Sequence, residues 1–165
     1  AMGFIVNKPL EVDFGSLLEM VEIDQNQISD TCYDQHVFFG GPVRVEQLWV
    51  IHQDETSNGA AGGIAELDET AELRFHDAWR LTGTADSIEE FAYGQNISTF
   101  RPYIGYSGWG PGQLESEIED GSWLLLDFDD ELVFDRDFEA VWDAALDRLG
   151  IDETTFMMMG KAGHA

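Results

Sequence analysis

Apolar residues occur along this chain in short runs separated by acidic or glycine-rich stretches, and their spacing predicts both strands and helices. Alternating or continuous apolar runs bounded by Gly, Pro or Asp predict strands over 3–7, 37–43, 46–52, 74–82, 102–106 and 122–128. Apolar positions at helical spacing predict helices over 14–21, 87–93, 111–120 and 138–149. Because the two kinds of element interleave without a strict βαβ repeat, we expect one α+β domain around a twisted mixed sheet flanked by helices.

Capping residues predict where these helices begin and end. Asp13, Asp86 and Asp137 each precede a helix, where a carboxylate can accept a hydrogen bond from a free backbone N–H. Gly94, Gly121 and Gly150 each follow one, where glycine adopts the left-handed conformation that ends many helices. The stretches 24–35 and 53–63 are predicted to be loops, and Met157–Met159 to be a packed apolar patch.

The stretch PYIGYSGWGPGQLESEIEDGSW, residues 102–123, has the densest glycine pattern in the chain. Gly108, Gly110 and Gly112 bracket Trp109 and Pro111, which means that either a group lies against this turn or the fold needs it to close. We expect Gly110 to cap the following helix, Pro111 to be its first residue, and Gln113 to reach back to a backbone N–H. No Lys follows the last glycine and the spacing is not that of a phosphate loop, so the pattern favours a tight structural turn.

The charge of the chain excludes several classes of partner. Its 165 residues include 33 acidic and 8 basic side chains, for a net charge of −25, and the basic residues are scattered. Nucleic acids and anionic membrane surfaces both bind through clustered Lys and Arg, so we expect no direct contact with either. The acidic residues predict a heavily solvated surface, and adaptation to high salt is a sharper hypothesis for the same observation.

Catalytic and metal-binding motifs are not recognisable in the sequence. Cys32 and His36 lack further ligands at zinc spacing, and Ser107 is not in a nucleophile elbow. We therefore assign no catalytic residue, metal or cofactor. A single cysteine cannot form an intrachain disulfide, no apolar run is long enough to span a membrane, and the start of the chain does not resemble a signal peptide, so we expect a cytoplasmic location.

Several segments together resemble the bacterial AlgH/YqgE family: GFIVNKPL, FFGGPV followed by LWVIH, LTGTADSIEEFAYG, GYSGWGPGQLESEIEDGSWL and WDAALDRLGID. The resemblance implies a compact α+β fold with a barrel-like mixed sheet, and it implies little about activity because the family is biochemically uncharacterised. Members usually begin with a further arm of roughly 30 residues, the length of one or two hairpins. The chain printed here starts inside the motif that follows this arm, so we expect a single family domain that lacks it.

Three functions remain open from the sequence. The first is a small binding or regulatory module that recognises a small molecule or a protein. Its predicted ligand site is formed at strand ends and turns by Asn7, Gly40, Gly41, Pro42, His52, Ser107, Trp109 and Gln113. The second is an enzyme acting on a small molecule, with His52 as base and the amides of the Trp109 turn holding an anion. The third is a transcriptional regulator that acts through protein contacts, which predicts an exposed apolar patch instead of a basic face.

Overall fold

The computed structural model describes residues 1–20, 23, 28, 30–53, 73–76, 79–83, 88–89, 92–93 and 99–162. Contacts divide the chain into two compact units. We call Met2–Gly108 the sheet unit, and Ala1 together with Trp109–Ala165 the helical unit. That both belong to a single domain stays a prediction.

Within the described residues, seven strands of mixed orientation form the sheet unit. They are β1 Met2–Gly3, β2 Pro9–Asp13, β3 His36–Phe39, β4 Val43–Gln53, β5 Leu73–His76, β6 Trp79–Thr82 and β7 Phe100–Gly108. Six follow the order β2-β3-β7-β4-β6-β5, and β1 pairs with the end of β7. β3 and β7 are parallel and the other neighbours are antiparallel, which confirms the mixed sheet. The end strands β2 and β5 do not pair with each other within the described residues, so the sheet is open and not barrel-like.

Two short helices pack on one face of this sheet. They are α1, Phe14–Met20, and α2, Asp30–Tyr33. Asp13 caps α1 as predicted, because its Oδ1 accepts a hydrogen bond from the Ser16 N–H at 2.6 Å. That bond also lowers the pKa of Asp13. Residues 88–89 and 92–93 are helical, in agreement with the helix predicted over 87–93, whose caps Asp86 and Gly94 lie outside the described residues.

α2 corrects the prediction of a loop over 24–35. Its Cys32 side chain is buried in one cluster with Phe14 and Leu18 of α1 and with Val37 and Val50 of the sheet. A helix this short is not stable by itself, since most helical stability in proteins comes from packing of an apolar face. The helix is therefore stabilised by tertiary burial that local sequence does not reveal.

The described residues of the helical unit form three α-helices and one π-helical turn. They are α3 Gln113–Glu119, the π-helical turn Glu131–Asp135, α4 Val141–Arg148 and α5 Glu153–Ala162. The π-helical turn and α5 were not predicted. Met157 and Met158 lie on α5 with more than half of their surface exposed, so the prediction of a packed patch is wrong for these two residues. No helix in the described ranges is both long and apolar enough to cross a membrane.

Two predicted helices begin later than expected. α4 begins at Val141 and not at residue 138, since Asp137 accepts a hydrogen bond from the Glu139 N–H at 3.1 Å within a preceding turn. α3 is capped by Gly112, whose φ of 74° is left-handed, and not by Gly110. Both predicted C-terminal glycines are confirmed, because Gly121 and Gly150 follow the helices with φ of 74° and 69°.

Three predicted strands differ in the structure. The strand predicted over 3–7 is shortened to β1, Met2–Gly3. After Gly3 the backbone bonds from Ile5 N–H to Gly40 O and does not continue a β-ladder. The strand over 74–82 is two strands, β5 and β6, paired with each other. Residues 122–128 form no strand, because no neighbouring strand pairs with them in the described part of the chain. Most of the predicted loop over 53–63 lies outside the described residues.

Candidate functional site

The Gly40–Gly41–Pro42 turn lies where three segments of the sheet unit meet. The Gly40 carbonyl accepts hydrogen bonds from Ile5 N–H at 3.0 Å and from Ser107 Oγ–H at 3.4 Å, while the Gly40 N–H donates to Ile104 O at 2.9 Å. The structure thus brings Gly40 and Ser107 together, as the predicted site requires. The N–H and carbonyl groups of Gly40 are already satisfied within the fold.

Close backbone approach explains the glycines at this crossing. A Cβ on Gly40 would overlap the Gly105 carbonyl oxygen, and one on Gly41 would overlap the backbone between Tyr106 and Ser107. Gly105 has a φ of 67°, and a Cβ there would overlap the Gly41 carbonyl oxygen. Each glycine therefore allows β7 and the β3–β4 turn to approach closely, which is a structural role.

The remaining residues of the predicted site in this unit are less closely grouped. Asn7 lies in a turn one residue before Lys8, whose carbonyl accepts a hydrogen bond from Phe39 N–H at 2.8 Å, so Asn7 is near the Gly40 turn in the chain path. His52 is at the other end of β4 from Val43, and their β7 partners Phe100 and Tyr106 are six residues apart, about 20 Å for a rise of ~3.3 Å per residue. The His52 Nε2 lies 3.2 Å from Thr82 Oγ1. The structure does not bring His52 to the Gly40–Gly41–Pro42 turn. A ligand-binding role for these residues stays a prediction.

Trp109 and Gln113 belong to the helical unit, where they form a hydrogen-bonded group with Glu117 and Trp123. We call these four residues the tryptophan–glutamate cluster. Glu117 Oε2 accepts from the Trp109 indole N–H at 3.0 Å and from the Trp123 indole N–H at 2.8 Å, and the two rings meet edge to face at 5.7 Å. Glu117 Oε1 accepts from Gln113 Nε2 at 2.9 Å. One carboxylate thus fixes two indoles against the start of α3.

The electrostatics of the cluster follow from these bonds. Hydrogen bonds from Trp123, Gln113 and Trp109 stabilise the ionised carboxylate and lower the pKa of Glu117. Gln113 Oε1 in turn accepts from the Gly110 N–H at 3.1 Å, which confirms the predicted backward reach of this side chain. The Trp109 N–H donates to Ala1 O at 2.9 Å. The backbone N–H groups of Trp109 and Gly110 therefore already donate hydrogen bonds and are not free to hold an anion.

The dense glycines of the Trp109 turn are not explained by close packing against the backbone. A Cβ on Gly108 would meet its nearest neighbour, the Tyr106 ring, at an ordinary 3.4 Å, and one on Gly110 would find only Gln113 Oε1 at 3.8 Å. Gly112 has open space but a left-handed backbone. The turn thus caps α3, and no described residue lies so close to its backbone that glycine is required.

Sequence reasoning missed a group of buried hydrogen-bond donors on the second face of the sheet. Trp49 and Tyr103 are directly opposite each other on β4 and β7, and both rings pack around Phe4. The Trp49 Nε1–H and the fully buried Tyr103 hydroxyl have no hydrogen-bond partner in the described structure. Burial raises the pKa of Tyr103, and the nearby Arg101 guanidinium lowers it by a smaller amount.

Arg101 itself is buried on this face. Its guanidinium donates to the Val6 carbonyl at 2.7 Å and lies 4.3 Å from the centre of the Phe38 ring. Burial lowers its pKa. Alternation along β7 could have placed Arg101 and Tyr103 on the same face, but only the register with β3 and β4 shows what they contact.

Metal ligands are not assembled in the part of the chain that the structure describes. No group of three or more His, Cys, Asp or Glu side chains there is arranged to hold an ion. Of the two unpredicted members of the tryptophan–glutamate cluster, Glu117 and Trp123, Glu117 did have a local signal. Gln113 and Glu117 are four residues apart on one helix face, a spacing at which side chains meet.

Comparison with other proteins shows which family this chain is similar to. The AlgH-like (DUF179) family model matches residues 1–154. UPF0301 proteins from Paracoccus denitrificans and Jannaschia sp. are 40% and 39% identical to this chain over its whole length, which corresponds to 80% and 79% of theirs. The UPF0301 protein of Ruegeria pomeroyi is 38% identical and is covered to 82%.

Solved structures agree with this result. The solution structure of the AlgH protein from Pseudomonas aeruginosa matches the full chain with a TM-score of 0.68 and 27% identity, over 79% of its own length. A crystal structure of a Corynebacterium diphtheriae protein matches 89% of the chain and 70% of its own, with a TM-score of 0.57 and 19% identity, and shares the fold. From the match of the family model and the identity to its relatives, the chain belongs to the AlgH-like family.

Proposed function

We propose that this protein is a cytoplasmic binding module that acts by contacting another protein through residues 122–128 of the helical unit. The observation that carries this proposal is the exposure of a continuous apolar run. Trp123, Leu124, Leu125 and Leu126 are between 38% and 64% exposed, and Phe128 is 40% exposed. Contiguous apolar surface of this kind on a folded protein marks interaction sites.

Charge supports a protein partner over a nucleic acid. A net charge of −25 repels phosphate backbones, and an apolar segment offers no donors to them. The proposal therefore favours regulation by protein contact, which is one of the functions that the sequence leaves open.

The enzymatic alternative has less support. It requires free amides at the Trp109 turn, but the Trp109 N–H donates to Ala1 O and the Gly110 N–H donates to Gln113 Oε1. The base of this alternative is His52, whose Nε2 lies 3.2 Å from Thr82 Oγ1 in the sheet unit. The carboxylate at the Trp109 turn, Glu117, is already bound to two indoles and an amide. These observations favour a structural role for the tryptophan–glutamate cluster.

Site-specific photo-crosslinking in the native cytoplasm tests the proposal. A photoreactive residue at position 125 should capture a protein. An excess of the unlabelled chain should prevent this capture, whereas an excess of its Leu125→Asp variant should not. The same residue at Met20, which is 78% exposed on α1, is the matched control and should capture nothing specific. Equal capture at both positions, or none at 125, would overturn the proposal. A metabolite that raises the melting temperature in a thermal-shift screen would instead support the enzymatic alternative.

A further inference from the structure

Helix α3 carries two negative charges that repel each other. Glu115 and Glu119 are exposed and four residues apart, so they lie on one face of the helix, where like charges are destabilising. Neither side chain makes an ion pair or a hydrogen bond within the described part of the chain. Glu119 is also the last residue of α3, where the helix dipole disfavours a negative charge. The charge of α3 therefore opposes its helical conformation.

The same arrangement recurs on α4. Asp143 and Asp147 are exposed, four residues apart, and without an ion pair among the described residues. Asp147 lies in the last turn of the helix, again at the end that the dipole makes unfavourable for an acid. Arg148, the basic residue of this turn, is already paired with Asp129. Both helices thus have an uncompensated acidic pair that ends near the C-terminus of the helix.

Burial offsets this repulsion less in α3 than in a helix of the same length in the sheet unit. Short helices draw most of their stability from the packing of an apolar face. α1 has seven residues like α3, and it buries Phe14 and Leu18, while its Glu19 accepts a hydrogen bond from the Tyr33 hydroxyl at 2.7 Å. α3 has no buried residue. We therefore expect α3 to depend on the ionic surroundings more than α1 does.

We propose that α3 and α4 are an ionic-strength-sensitive part of this fold. They open locally at low salt, and they close when mobile cations screen the repulsion between Glu115 and Glu119 and between Asp143 and Asp147. The Debye length falls from about 30 Å at 0.01 M salt to about 3 Å at 1 M, which is short enough to screen neighbouring side chains. The net charge of −25 gives the response one direction, because added salt weakens mainly repulsion. The response needs no partner protein and stands apart from the proposed function.

Amide hydrogen exchange followed by mass spectrometry measures the opening of each element in the full chain. After correction for intrinsic rates measured on the unfolded chain, peptides from α3 and α4 should exchange about two- to tenfold faster at about 0.01 M than at about 1 M NaCl. This range corresponds to one like-charge pair and one unfavourable helix end in each helix. Peptides from α1 should change less than about twofold. No change in α3 and α4, or an equal change in α1, would overturn the proposal.

Two double variants separate local repulsion from total charge. Glu119→Gln with Asp147→Asn removes one member of each pair, and Glu11→Gln with Glu46→Gln removes two exposed charges from strands β2 and β4. Each double variant removes two negative charges and changes the net charge from −25 to −23. The helix variant should lose most of the salt response of α3 and α4, whereas the strand variant should keep it. Equal responses would assign the effect to total charge and contradict the proposal.

A non-ionic osmolyte separates charge screening from general stabilisation. Sucrose favours burial because it is excluded from the protein surface, and it carries no charge. Screening predicts that NaCl lowers the exchange rate of α3 and α4 relative to that of α1, and that sucrose at low salt leaves this ratio unchanged. If sucrose lowers the ratio as much as NaCl does, burial and not charge controls these helices, and the proposal is wrong.

Discussion

Leu18 and Leu125 both lie in apolar stretches of this chain, yet the first is fully buried and the second is 64% exposed. Leu18 belongs to the sheet unit, where α1 and α2 cover a core that includes Phe14, Val37 and Val50. Leu125 belongs to the helical unit, where buried side chains are fewer and include Leu132, Val141 and Leu146. Hydrophobic sequence is therefore not sufficient for burial, since a segment also needs a neighbouring element to pack against.

The two units also differ in how they use glycine. In the sheet unit, Gly40, Gly41 and Gly105 allow backbones to approach so closely that a Cβ would overlap them. In the helical unit, no described atom lies near the place where a Cβ of Gly112, Gly121 or Gly150 would be. These glycines are used because they adopt positive φ at helix ends. Similar glycine-rich sequence thus produces a packed crossing in one unit and helix caps in the other.

Truncating the two leucines gives the sharpest test of this difference. Leu18→Ala should lower the free energy of unfolding by about 2–5 kcal/mol, because it leaves a cavity in a buried cluster. Leu125→Ala makes the same chemical change on an exposed residue and should change it by less than about 0.5 kcal/mol. Denaturant unfolding followed by circular dichroism measures both. Similar losses in the two variants would show that Leu125 is buried in solution.

Alanine at glycine positions gives the next largest effects. Gly105→Ala should cost about 2 kcal/mol or more, since it combines a left-handed backbone with overlap of the Gly41 carbonyl. Gly112→Ala has the backbone penalty alone and should cost about 1 kcal/mol.

Gly110→Ala is the control for this series, because a Cβ there has room and an ordinary backbone. It should be close to neutral in the same unfolding measurement. A loss at Gly110 as large as at Gly105 would mean that another group lies against the tryptophan turn.

Removing the Tyr103 hydroxyl should not destabilise the sheet unit. Among the described residues this buried hydroxyl makes no hydrogen bond of ordinary geometry, with the Arg101 guanidinium nearby, and an unsatisfied buried polar group costs about 1–3 kcal/mol. Tyr103→Phe keeps the ring packing with Phe4 and Phe38 and should be neutral or stabilise the fold by about 1 kcal/mol. Thermal unfolding measures the change. A clear loss of stability would reveal a polar partner for this hydroxyl in solution.

The smallest effect concerns the pH dependence of the tryptophan–glutamate cluster. Because the folded pKa of Glu117 is lowered, its hydrogen bonds are fully formed above the ordinary glutamate range and are lost as pH falls through the lowered pKa. Tryptophan fluorescence should therefore change in acid, below the pH at which free glutamate titrates. Glu117→Gln is the control and should lack this step. The same acid transition in both proteins would assign it to another group.

The sequence predicted the elements that carry their own local signals. Asp13 as a cap, Gly121 and Gly150 as helix ends, and the backward reach of Gln113 all depend on residues a few positions apart. The mixed α+β class follows from the same periodicities.

Features that depend on distant residues were missed or misread. α2 depends on burial of Cys32 against α1, and the division of 74–82 into β5 and β6 depends on pairing between the two halves. The strand expected at 122–128 needed a partner strand that no local pattern could supply or exclude. Within the predicted site, Gly40 and Ser107 were brought together by β7, whereas His52 was separated from them by the length of β4.

The position of β7 has a consequence for how the chain folds. β7 pairs with β1, β3 and β4, so strands near the start of the chain meet their neighbour only after residues 100–108 are present. Such pairings close long loops before they gain stabilising contacts, which slows folding in proteins dominated by distant contacts. During synthesis, β3 and β4 must therefore remain without their shared neighbour until β7 is made, and unpaired strand edges of this kind are prone to aggregation.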